Sequence, residues 1–502
     1  MEKELKNHLR IVNEALDEAE IYRHAHRLVD FDRQTVCPPK GLERQGEIGA
    51  FLGNRAFAIL KEKKFIKSAE YLYKNRADLG KYDSILAGAL HRDQLRTGNI
   101  TPKTEHRFSL VYSKAFSDWI NARDKADFSL FRKSLRAVRD TDLERVSLMV
   151  KAKENPYDNL LDLSERGMTS AVLDEAFGYC KERLIPLLQK ITSSSRTIRT
   201  DFMKRPVTDF QQQTLARYLL DVMRFDFSRG TFALSEHPFT EDVFQNDIRV
   251  TTHYYPDHFV SSMYSVIHEG GHALFAQLTP EVHYKHHISG EKTLGMHESV
   301  SRFYENLIGR SEAFIHLVYS RIKEIMPDVL HDVSERELYE AVNRVKPTLI
   351  RTDADEFTYT FHIIIRYEIE QDIIGKKIKI DDVPRLWADK YEEYLGIRPA
   401  NDREGVLQDV HWTNGFGYFP EYALGNMYNA MYYAKMQKKY DVNSLVAEGH
   451  LDIVNDWMAK HVFKKADRMD APDWIRDITG QEFSPKAFLD YLEEKYGALY
   501  GL

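Results

Sequence analysis

Two histidines four residues apart, with a glutamate directly after the first, carry the clearest chemistry in the chain: His268, Glu269, Gly270, Gly271 and His272 spell H-E-x-x-H. Met263, Val266, Ile267, Gly270 and Leu274 recur at helical spacing around them, which predicts a helix over 261–278. Residues four apart on a helix share a face, so both imidazoles can reach one ion. Zinc takes neutral imidazole nitrogen at about 2.0–2.1 Å, and its catalytic sites keep three protein ligands and one open position. Glu269 would then stand beside the water rather than on the metal, where a carboxylate acts as a base. A third ligand must come from elsewhere. Downstream, the segment 295–310 has an apolar stripe of Met296, Val300, Phe303 and Leu307, and it sets Glu298 and Glu305, seven apart, on a second face with Arg302. Either carboxylate completes a His, His, Glu set, and spacing does not choose between them. His283, His286 and His287 are competitors, but they follow Pro280 in a short polar stretch and read as solvated loop histidines.

The elements that must hold these residues are mostly helical. From Glu2 to about Lys153, helix formers dominate, with apolar residues three and four apart such as Leu130, Phe131, Leu135, Val138 and Leu143. Asn155, Pro156 and Tyr157 interrupt that run, and Thr169 or Ser170 announces the next helix as its cap. Between about 231 and 255 Thr, Phe, Val and Tyr rise, and Ile248, Val250, Thr252 and Tyr254 alternate with polar neighbours, which predicts a strand. Helical spacing returns after Pro256; one later helix has Asp381 or Asp382 at its cap, Pro384 in its first turn and Gly396 as terminator. No repeat or Pro/Ser/Gly-rich linker divides the 502 residues, so the chain reads as one large, mainly α body spanning 1–502 with a small β element.

Composition narrows the function. Hydrophobic residues are 43% and charged residues 29%, the balance of a globular protein. Lys plus Arg number 70 against 77 Asp plus Glu, a net charge of −7, which gives nucleic acid no bulk attraction. Only Cys37 and Cys180 occur, which agrees with a reducing compartment and two buried free thiols. The first 22 residues are charged throughout and hold no signal-like apolar run, which points to the cytoplasm. The most apolar helical run, 357–374, is interrupted by Arg366, Glu368, Glu370 and Asp372, so no membrane span is expected.

Six short patterns then occur in order: HPF at His237 to Phe239; D-x-R-x-T as Asp247, Arg249 and Thr251; HEGGH at His268 to His272; HES at His297 to Ser299; I-R-x-x-A-D as Ile350, Arg351, Ala354 and Asp355; and G-x-x-Q-D-x-H-W from Gly405 to Trp412. In these the sequence resembles the carboxypeptidase Taq family of zinc-dependent peptidases. The likeness extends to Asp32, Thr35, Pro38, Pro39 and Gly41 near the start and to FGYFPEYAL at Phe416 to Leu424, and so runs essentially end to end. Phe31 replaces the family's usual tryptophan, Cys37 its methionine, and Val300 the Gln or Arg that commonly follows HES.

The resemblance implies a helical H-E-x-x-H zinc peptidase of the gluzincin type, with a deep groove, zinc at its base (cobalt able to substitute) and usually a homodimer. Carried over residue by residue, His268, His272 and Glu298 are the metal ligands and Glu269 the catalytic carboxylate. His411 and Tyr418, with Tyr422, are candidate donors to the developing oxyanion. Removal of single residues from the carboxyl end needs a cation for the terminal carboxylate, which a guanidinium binds bidentately; Arg351 is favoured, with Arg249 as the other candidate, and an ion pair with Asp353, Asp355 or Asp247 is the competing use. His237 is a candidate contact to substrate backbone, and Asp355 or Asp409 a candidate to orient a ligand histidine. The expected activity is a metallocarboxypeptidase of broad specificity acting on peptides with a free carboxylate. The alternatives are an oligopeptidase, a dipeptidyl carboxypeptidase, or a non-catalytic peptide-binding relative.

Overall fold

The computed structural model describes residues 2–290 and 292–502. Its N-terminal third is a run of helices: α1 (Glu2–Thr35), α2 (Leu42–Leu60), α3 (Lys63–Lys74), α4 (Lys81–Thr97), α5 (Pro102–Lys125) and α6 (Arg132–Ser147). Asn155, which the sequence marks as a breaker, is also a starter: its side-chain carbonyl accepts from the Tyr157 N–H, and Pro156 opens α7 (Pro156–Ser164). Thr169 caps α8 (Ser170–Ser193) through its hydroxyl, and α9 (Asp209–Val222) follows with a reciprocal Thr208–Gln211 capping box.

The expected strand is real but has two partners. β1 (Gly230–Leu234), β2 (Thr240–Phe244) and β3 (Asp247–Thr252) form a sheet in the order β1-β3-β2, with β1 parallel and β2 antiparallel to β3. Tyr254 lies beyond the strand's end at Thr252. Ile248 and Val250 are buried toward α10 (Phe259–Leu278), and register sets Thr240 opposite Val250. The motif helix is thus walled in, and Met263, Val266, Ile267, Gly270 and Leu274 are all buried as their spacing requires. α11 (Glu281–Lys285) and α12 (Leu294–Arg302) come next, and α12 runs on into a π-helical turn, Phe303–Ile308.

Two glycines allow the close packing of α12. A Cβ on Gly271 would lie 2.8 Å from Ser301 Cα, so α10 and α12 touch backbone to backbone there. A Cβ on Gly425, in the helix Pro420–Gln437, would lie 3.0 Å from Glu298 Cγ. The helix Val383–Leu395 ends at Gly396, whose φ of 69° is the left-handed stop read from sequence; Asp382 occupies the cap position, though its side chain makes no capping bond.

The architecture is mainly α with one small β element, as the sequence predicts. The main core draws on residues from Ala115 to Tyr500. A smaller core is formed by Leu5, Val12, Leu16, Phe65, Leu72 and Leu86 of the N-terminal helices together with Ile288. Among the described residues no helix is long and apolar enough to cross a membrane. Cys180 is buried; Cys37 is only half-buried, against the expectation of two buried thiols, because it sits at the end of α1, where the chain turns toward Pro38 and Pro39.

Candidate metal centre

His268, His272 and Glu298 come together. His268 and His272 stand one turn apart on α10, and the Nε2 of each lies 3.8 Å from Glu298 Oε2 on α12. One donor atom from each of the three residues falls within 4.8 Å of the others. A separation of 3.8 Å is too long for a hydrogen bond, and is slightly wider than the roughly 3.3 Å between two ligands held at about 2.0–2.1 Å around a tetrahedral ion. Two imidazoles and one carboxylate match the donor set of a catalytic divalent-metal site with an open position. Lone pairs that converge on one point without bonding each other suit a cation.

The carboxylates divide their work in a way spacing did not reveal. Glu305 lies in the π turn and accepts from His268 Nδ1 at 2.9 Å, which holds the proton on that nitrogen and leaves Nε2 free to bind. Arg302 donates from Nε to Glu298 Oε1 at 2.8 Å and from a terminal nitrogen to Glu305 Oε2 at 3.0 Å. It thereby turns the other Glu298 oxygen toward the histidines. Burial opposes the charge on Glu305, but Arg302, the His268 hydrogen bond and Arg310 outweigh it and hold the carboxyl well below the usual range. Asp355 and Asp409 do not orient a ligand histidine, as was expected of one of them. Asp355 accepts from the Lys346 and Thr358 main chain and the Thr358 hydroxyl, and Asp409 faces two arginines. The i, i+7 pairing of Glu298 with Glu305 was the available signal for this role.

Glu269 is buried beside this face. Thr240, at the start of β2, places its hydroxyl 2.8 Å from Glu269 Oε2, and burial raises the carboxyl above its ordinary value, moving it toward a group that can both take and return a proton. Thr240 had no motif to betray it. His297 stacks on His272 with ring centres 4.3 Å apart, which fixes the plane of that imidazole.

The other anticipated residues gather in part. His411 Nε2 lies 3.3 Å from the Tyr422 hydroxyl, and its ring centre is 5.6 Å from that of Tyr418. Burial raises Tyr418 to about 12, with Glu421 and Glu298 adding to it, so its phenol keeps its proton at neutral pH and can donate it in a hydrogen bond. Arg351 is buried, and all three of its guanidinium nitrogens donate: Nε and one terminal nitrogen to Asp409, the other to the Tyr359 hydroxyl at 3.0 Å. Its ion-pair partner is therefore Asp409 rather than Asp353, Asp355 or Asp247. Arg249 is held by Asp247 through two bonds of 2.8 Å and lies over the Phe31 ring, so the residue that replaces tryptophan packs against the D-x-R-x-T motif. His237 is exposed between β1 and β2. The competing histidines are not solvated loop residues. His283 is 1% exposed on α11 and its Nδ1 lies 2.6 Å from Asp467, while His286 reaches Asp83 and His287 reaches Asp17, joints between distant segments that local polarity conceals.

A family model described as carboxypeptidase Taq (M32) metallopeptidase matches residues 11–496. The chain belongs to that family. It is 37% identical to carboxypeptidase 1 of Bacillus subtilis over 95% of this chain and 96% of that one, and 33% identical to thermostable carboxypeptidase 1 of Thermus thermophilus over 94% and 95%. The crystal structure of an M32 carboxypeptidase from Deinococcus radiodurans superposes with a TM-score of 0.95 at 29% identity, covering 99% of this chain and 100% of that one. As an M32 family member the chain is a peptide hydrolase of the metallocarboxypeptidase class, and a metal cofactor and peptide substrates come with that class.

Proposed function

We propose that this M32 protein is a zinc carboxypeptidase that releases single residues from the free carboxyl end of peptides with broad side-chain tolerance. What supports zinc is the donor set of two imidazole nitrogens and one carboxylate oxygen, His268, His272 and Glu298, with Glu269 directly beside it. Zinc, when bound, supplies Lewis-acid polarisation of the scissile carbonyl and lowers the pKa of a water toward about 7. Glu269 takes the proton of the attacking water and returns it to the leaving amine. Thr240 holds that carboxylate in place, and Glu305 fixes the His268 tautomer. Tyr418 and His411 offer hydrogen-bond donors to the oxyanion. Arg351 and Arg249 are the guanidinium groups for the terminal carboxylate, Arg351 by sharing itself with Asp409, and His237 contacts the peptide backbone from the β1–β2 turn. The whole chain, 1–502, acts as one body in the cytoplasm, as a homodimer that light scattering would test.

A ladder assay decides the reaction. An N-blocked peptide with a free carboxylate should shorten by one residue at a time in mass spectra, and its amidated twin should persist. Release of dipeptides or internal fragments would instead identify an oligopeptidase. Glu269→Gln should keep its metal and lose turnover; full activity in that variant would overturn the assigned proton path.

A further inference from the structure

A cavity of about 1010 Å³ adjoins the candidate site at His411 and Tyr418, and the rest of its lining takes no part in the steps above. His411 and Tyr418 form one wall of it. The others come from α5, from the end of α7, and from Leu294, the first residue of the helix that carries Glu298. Its chemistry is unusual for this chain. Among the described residues lining it there is no Asp, Glu, Lys or Arg, whereas a second large cavity, about 1210 Å³ beside α1 and β2, is lined by Glu20, Arg23, Arg27, Glu241, Lys285 and Lys292 among others.

Four large apolar or aromatic side chains from four separate elements are left exposed to this uncharged space: Phe116 at 46%, Leu294 at 41%, Leu163 at 39% and Tyr418 at 38%. Exposed apolar groups that converge on one concavity beside polar catalytic groups mark a ligand site. The volume lies at the upper end of the range for drug-sized ligands, room for more than one amino-acid side chain. An exopeptidase places one residue beyond the scissile bond, so a space of this size next to His411 and Tyr418 suits the chain on the upstream side.

We propose that this cavity is the subsite for residues just upstream of the scissile bond and that it selects uncharged, preferably apolar or aromatic, side chains there. The proposal rests on the carboxypeptidase reading. A charged side chain entering the cavity gives up water and meets no counter-charge, which costs far more than seating a leucine. Hydroxyl groups such as that of Ser113 remain to bond the peptide backbone.

The test uses N-blocked peptides with one fixed terminal residue and Leu, Phe, Gln, Lys or Glu at the penultimate or antepenultimate position. The wild-type kcat/KM for release should fall at least tenfold from Leu or Phe to Lys or Glu. Phe116→Lys, and separately Ser113→Lys on the exposed face of α5, should raise kcat/KM for the Glu peptide and lower it for the Lys peptide. Equilibrium binding of the same peptides to Glu269→Gln is measured in parallel, so that selective binding without release would refute the carboxypeptidase reading and leave the subsite standing. Values within twofold across the series in both assays, or a discrimination that neither lysine variant changes, would overturn the proposal.

Discussion

Replacing Glu305 by Gln isolates the part played by a residue that touches His268, a proposed metal ligand, but not the face that His268 shares with His272 and Glu298. The amide keeps an oxygen to accept from His268 Nδ1, so the tautomer is preserved, but the negative charge that makes the imidazole a stronger donor is gone. Loss of such a partner lowers metal affinity by about 10- to 100-fold, or about 1.4–2.7 kcal/mol. The same charge also sits between two largely buried cations, Arg302 at 3.0 Å and Arg310 at 3.4 Å. Breaking a buried pair costs about 3–5 kcal/mol, and because Arg302 keeps Glu298 at 2.8 Å the lower end, about 3 kcal/mol, is expected here. Chelator competition measures the first effect, and urea denaturation of the metal-free protein the second. Glu356→Gln is the control: Glu356 is a buried carboxylate paired with Lys495 at 2.6 Å, so its loss should destabilise the fold and leave metal affinity alone. Zinc affinity within twofold of wild type in a folded Glu305→Gln protein would refute the assignment of Glu305 as the group that orients His268.

Other positions give independent checks. Gly271→Ala should force α10 and α12 apart at the 2.8 Å approach to Ser301 Cα and cost about 1–3 kcal/mol; an unchanged melting temperature would contradict that packing account. Glu165, fully buried at the end of α7, accepts from the Thr293 hydroxyl, the Gly295 N–H and the Tyr428 hydroxyl, and so anchors the start of the helix that presents Glu298. Glu165→Ala should lose about 2 kcal/mol or more in urea denaturation and weaken metal binding as well; a stability loss with metal affinity intact would limit Glu165 to the fold. Burial pushes Glu370 up to about 7 from its ordinary 4.5, against hydrogen bonds from Trp412, Tyr157 and Gly417. A raised folded value favours the protonated acid, so its stabilisation is complete below about pH 4.5 and disappears as pH rises through about 7, a loss of about 3 kcal/mol. The neutral Glu370→Gln protein should lack that decline, and parallel stability curves for the two proteins between pH 4.5 and 8 would show that Glu370 does not titrate as argued.

How far the sequence could be read depends on the distance over which each feature is decided. The helix of His268 and His272 was legible because an apolar stripe of period 3.6 and an i, i+4 pair are both local, and the strand at Ile248 and Val250 because alternation is local too. The choice of the family, and through it of Glu298 over Glu305, came from motif order, which records an ancestry rather than a geometry. Partner choice was not legible. Arg351 pairs with Asp409, 58 residues on, and not with the nearer Asp353 or Asp355. His283 pairs with Asp467, 184 residues on, in a stretch whose polarity suggested solvent.

By itself, then, the sequence determined that a helix would offer two imidazoles on one face with a carboxylate beside them, since helical period alone brings those atoms together. Tertiary structure decided what those atoms meet. Glu298 and Glu305 differ by almost two turns of the same chain, yet a π turn after Arg302 and the close approach at Gly271 and Gly425 send one to the ligand face and the other to the far nitrogen of His268. The reason is physical: a hydrogen bond is decided at about 3 Å, and only the packing of distant segments sets positions to that tolerance.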